Sequence, residues 1–279
     1  MSRTTQLYSG VLIAGAIALL GACSMPAPEK KEKELRVKHN YIVLLDLSDR
    51  LIVQANQPDR DKQIIRSLYS VFEQKVKSDL YIKSRDEIKV VMAPQRGSGV
   101  ARDVFEDRLY INMENVSNVY RKAKEEERRE HFYANVDTLY KQAVFSSEPN
   151  DYYGADIWKY FHEDLKHDYS RDTLTKNYLF ILTDGYPIVG GQSKLLSVKN
   201  EFPDLEIVLL EAAPRDKDLE WDRIMQLWED WFKAIGIEHY TLVKRGSITK
   251  EVEQVRELVE WKRDKATRVA SIARSHSKR

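Results

Sequence analysis

The chain has 279 residues, of which 42% are hydrophobic and 32% charged, with 45 basic side chains against 44 acidic ones. So even a balance leaves no global field that would draw in a nucleic acid or an acidic substrate. The length allows one α/β domain of about 230 residues plus extensions. A single cysteine, Cys23, excludes a disulfide framework.

Residues 1–10 hold Arg3 and no acid, and residues 11–20 form an unbroken apolar and small-residue run. That is the length of a secretory h-region and too short to span a membrane. It ends in Leu20-Gly21-Ala22-Cys23, which resembles a bacterial lipoprotein processing box. The resemblance implies a signal peptide over 1–22, cleavage before Cys23 and acylation of its thiol. Several acyl chains, at about 0.8 kcal/mol per buried CH₂, would anchor the chain firmly. A buried N-terminal helix with an inert thiol is the alternative. Ser24, rather than Asp, follows the cysteine; by the enterobacterial sorting rule this favours the outer membrane, facing periplasm or surface, over the inner one. Residues 23–39, rich in charge and with two prolines, read as a flexible tether.

The domain, 40–272, opens on residues 41–51, YIVLLDLSDRL. The apolar start reads as a strand buried on both faces, and it delivers Asp46, Ser48, Asp49 and Arg50 at its carboxyl end. After a loop with Pro58, apolar residues from Ile64 to Val76 recur at helical spacing, predicting a helix over about 59–78. Residues 87–93 read as the second strand. Residues 108–113 alternate and read as an edge strand, with no helix between these two strands. Residues 116–145 read as one long helix whose charged middle is a solvated face with ion pairs. A polar loop leads through Gly154-Ala155-Asp156-Ile157 into a helix. Residues 177–187, NYLFILTDGYP, form another buried strand ending in Thr183-Asp184-Gly185. A Gly190-Gly191 break and a short helix over 195–200 come next. Residues 205–211 read as a strand ending in Glu211, which points toward the same crevice rim as Asp46 and Asp184 and either joins the polar site or, as the favoured reading, hydrogen-bonds a loop. A helix bearing Trp221, Trp228 and Trp231, a strand over 238–243 and a helix over 248–273 complete the domain. The tryptophans share one helix side and read as core. Residues 273–279 are a basic tail that reads as solvated or as touching phospholipid headgroups. Strands alternating with helices imply a mostly parallel sheet covered on both faces, with the third strand antiparallel at an edge.

Six strands with an antiparallel third strand resemble the von Willebrand factor A domain, a Rossmann-like α/β fold. In that family the first strand ends in Asp-x-Ser-x-Ser, a later loop supplies a Thr, and the fourth strand ends in a run such as Thr-Asp-Gly. Together these hold Mg²⁺ or another divalent cation, whose open position takes a partner's carboxylate. Asp46, Ser48 and Asp184 match that pattern. Arg50 stands where the second Ser would fall, and Ala155 where the Thr would fall. Three outcomes stay open. Asp156 and Asp49 could complete an oxygen shell. The Arg50 guanidinium could fold onto Asp46 and Asp184 in place of the ion. Or the polar residues, Thr183 included, could merely close loops.

A haloacid dehalogenase-type phosphohydrolase also fits in part, with Asp46 as nucleophile and Thr183 and Lys194 in support. Such enzymes carry a second acid two residues on, where this chain has Ser48, so the leaving group lacks its proton donor. The expectation is therefore a membrane-anchored, exported lipoprotein that binds a protein partner, not nucleic acid, through a degenerate ion-dependent adhesion-type site and does not act as an enzyme. A structural envelope scaffold with an unused crevice is the third reading.

Overall fold

A computed structural model describes residues 37–95, 97–145, 154–186, 201–212 and 217–259. Cys23 and the signal segment, most of the tether, Gly190-Gly191, Lys194, the helix expected over 195–200 and the basic tail lie outside the described residues. No helix among the described residues is long and apolar enough to cross a membrane.

The first strand, β1 (Lys38–Leu45), is buried along its whole length. Its side chains alternate between two cores, as a pleated strand covered on both sides requires. Tyr41, Val43 and Leu45 face one core, and Ile42 and Leu44 the other. Burial of each aliphatic side chain contributes about 1.5–3 kcal/mol. The remaining strands are β2 (Glu87–Met92), β3 (Tyr110–Asn112), β4 (Thr175–Leu182), β5 (Leu205–Ala212) and β6 (His239–Lys244). They make one sheet in the order β3-β2-β1-β4-β5-β6. β1 pairs in parallel with β2 and β4, β4 with β5, and β5 with β6; β3 pairs antiparallel with β2. This is the predicted α/β, Rossmann-like architecture with an antiparallel third strand at the edge.

The β1–β4 register is held by a buried amide pair. Asn40 Nδ2 donates to Asn177 Oδ1 at 2.9 Å and to the Asp168 carbonyl at 2.8 Å, and Asn40 lies opposite Asn177. A one-residue slip would strand both amides and turn every β1 side chain to the wrong face. From that register, Leu45 faces Leu182, so Asp46 and Thr183 leave the sheet side by side.

Helices cover both faces. One layer is α2 (Gln57–Ser78), α5 (Glu125–Phe145) and α9 (248–259); the other includes α6 (Ile157–Lys159), α7 (Leu165–Asp168) and α8 (Lys217–Ala234). A π turn, Tyr160–Asp164, joins α6 to α7. Trp228 and Trp231 are core residues packed edge to face, as expected, while Trp221 is only partly buried.

Several boundaries differ from expectation. Pro58 sits in the first turn of α2 rather than in a loop, where a missing N–H costs nothing. A short helix, α1 (Arg50–Val53), precedes it. A helix, α3 (Arg102–Arg108), does stand between β2 and β3; only Phe105 within it is buried, so it carries no apolar stripe to read. The expected long helix is two, α4 (Asn118–Ala123) and α5. Arg128 accounts for the break by donating to the carbonyls of Tyr120 and Arg121 at 3.1 and 2.5 Å, satisfying the end of α4.

Candidate functional site

The carboxyl ends of β1 and β4 meet at a buried polar cluster. Asp46 is 2% exposed. Its Oδ1 accepts the Ser48 amide at 2.9 Å, and its Oδ2 accepts the Thr183 hydroxyl at 2.8 Å. Thr183 Oγ1 in turn accepts the Gly185 amide at 3.2 Å. Asp184 Oδ1 accepts the Tyr186 amide at 3.1 Å. Gly185 has φ +100, and a Cβ there would stand 3.2 Å from Ile224 Cγ2. Glycine is needed at this turn, and its carbonyl accepts Trp228 Nε1 at 2.8 Å.

Arg50 is fully buried. Its Nε donates to the Asp46 carbonyl at 2.8 Å, and Nη2 donates to the Leu182 carbonyl at 3.2 Å. The fork closes on Asp61, at 2.5 Å to Oδ2 and 3.3 Å to Oδ1. Asp61 also accepts from Gln57 Nε2 at 2.8 Å and Tyr140 Oη at 2.9 Å. Burial disfavours the Arg50 charge, but Asp61 and Asp46 outweigh it and hold the guanidinium above its ordinary value. Burial pushes Asp61 upward, against the pull of Arg50 and Gln57. The two directions oppose each other. With four donors converging on Asp61 and an arginine that keeps its proton, the ionic form is the one the geometry favours.

The network continues outward through Glu211. Gln57 Nε2 reaches Glu211 Oε2 at 3.0 Å, Arg60 grips both Glu211 oxygens, and Arg245 Nε stands 3.2 Å from Oε2. Glu211 is therefore part of the polar cluster and not a loop-closing residue. A bulge between Leu209 and Ala212 and a φ of 63 at Glu211 aim it there. Arg60 Nη2 also reaches Glu251 Oε1 of α9 at 3.0 Å, and the same oxygen accepts the Gly246 amide. Burial and the neighbouring Glu211 push Glu251 up to about 8. Burial alone would raise Glu211 too, but hydrogen bonds from Glu251, Arg60 and Gln57 bring it down to about 2.

The residues expected to bind an ion divide. Asp46 meets the Thr183 hydroxyl and the Ser48 backbone amide, whereas Asp184 accepts the Tyr186 amide within its own turn. Arg50 stands 3.9 Å from Asp46 Oδ2, but its fork is spent on Asp61 and not on Asp184. Asp156 instead caps α6, its Oδ1 accepting the Lys159 amide at 2.9 Å. Asp49 is the half-buried N-cap of α1 and makes no side-chain cap bond. Among the described residues no three His, Cys, Asp or Glu stand close enough to share an ion. This donor set does not fit a hard divalent cation: Asp46 is committed to protein donors, and a fixed guanidinium lies beside it. Asp61, Gln57, Arg60, Tyr140 and Glu251 were not singled out from sequence. A signal for two of them existed: Gln57 and Asp61 share the helical face of Ile64, Ile65, Leu68 and Phe72, so polar groups on an apolar stripe had to meet partners inside.

No protein-family model matches the chain, and no curated protein matches it. Among solved structures, it is similar to the pilus adhesin SpaC from Lactobacillus rhamnosus GG, at 9% sequence identity and a TM-score of 0.40. The match covers 81% of this chain and 30% of that one, so the chain spans less than a third of the adhesin. A likeness of this degree carries no functional weight.

Proposed function

We propose that this chain is an exported, lipid-anchored binding protein, similar to von Willebrand factor A domains, whose crevice at the ends of β1 and β4 meets a protein partner without a divalent ion. The observation that carries this reading is the fully buried Arg50, hydrogen-bonded to the carbonyls of Asp46 and Leu182 and bidentate to Asp61. A cation in the resembled family supplies positive charge between the two strand ends; the guanidinium supplies it here as part of the chain. Asp61 and Asp46 already offset that charge, so an acidic side chain of the partner gains little from it. Recognition then falls to the crevice rim, where Asp49 stands and where Asp156 donates its amide to the Pro94 carbonyl after β2.

The N-terminal residue order supports anchoring through Cys23 in the cell envelope, at the outer membrane. The phosphohydrolase alternative loses support from the same geometry, since Asp46 is buried and both its oxygens accept hydrogen bonds. Calorimetric titration with Mg²⁺, Mn²⁺ and Ca²⁺ tests the ion-free reading. Wild type is expected to be silent, and Arg50→Ser to gain saturable binding that a further Asp46→Ala removes. Saturable binding by wild type, lost in Asp46→Ala, would restore the ion-dependent form. A photo-crosslinking residue at Asp49 is expected to capture a protein in cells; absence of any adduct would leave a scaffold with an unused crevice.

A further inference from the structure

We draw no further inference here: the strongest candidate, the exposed apolar patch of Leu80 and Ile82 in the turn after α2 with Val119 and Tyr120 on α4, is fringed by acids as well as bases, Lys124 being paired with Glu127, and nothing in the structure shows what covers it.

Discussion

Replacing Arg50 by methionine keeps the apolar stem and removes the charge. Four hydrogen bonds disappear, two to carbonyls and two to Asp61. Asp61 keeps Gln57 and Tyr140 as donors but becomes a buried anion close to Glu211, with no cation. Breaking a buried pair in this way costs about 3–5 kcal/mol, a large share of the roughly 5–15 kcal/mol that holds a domain folded. The expected fall in melting temperature is roughly 6–20 °C. Asp61 can relieve part of the loss by taking a proton. Its folded pKa, already raised, rises further above the unfolded value, so the variant's deficit should be smallest in acid and grow as pH rises. Arg50→Met with Asp61→Leu removes both charges and should recover most of the loss, with a coupling of at least about 2 kcal/mol. Urea unfolding followed by the fluorescence of the buried tryptophans measures all four corners of the cycle. A single-variant cost under about 1 kcal/mol, or additive losses, would refute the claim that this pair holds the crevice.

Two other variants test separate parts of the structure. Glu251 is raised to about 8 from 4.5, so the folded state holds its proton more tightly than the unfolded chain; stability should fall as pH climbs from about 4.5 to about 8. Glu211, lowered to about 2, contributes the opposite slope, lost only as pH falls below about 4.5. Glu251→Gln should therefore flatten the melting temperature between those limits, and an unchanged slope would show that the Glu251 carboxyl is not raised by folding. Leu80→Gly relieves a left-handed backbone at an exposed position and should stabilise the chain by about 1 kcal/mol in the same urea assay; a loss of stability would mean that the side chain packs in a way its exposure does not suggest.

The sheet was legible because its strands announce themselves. β1, β4 and β5 are continuous apolar runs bounded by polar residues, and only a strand covered on both faces tolerates that. The elements that were misread bury little: α3 contributes Phe105, and α4 is separated from α5 by an arginine bonding to carbonyls, a tertiary device with no local signature. The crevice was half legible. Asp46 and Thr183 follow strands, and their meeting needs only that the strands be neighbours. The partner of Arg50 was not legible, because Asp61 lies eleven residues on at the first turns of a helix whose phase fixes where it points. Glu211 was misjudged because a bulge turns it, and a bulge leaves no mark in the alternation of a buried strand.

The strand order divides the chain in two. The first half of the sequence builds β3, β2 and β1, the second builds β4, β5 and β6, and the halves touch along β1 and β4. Asn40 must find Asn177 across 137 residues of chain, so the entropy of closing that loop opposes the contact until the seam is made. Asp46 belongs to one half and Thr183 to the other. Neither half can contain the crevice, so it comes into being only when the seam closes, and a chain arrested before that moment exposes the facing edges of β1 and β4 and displays no site at all.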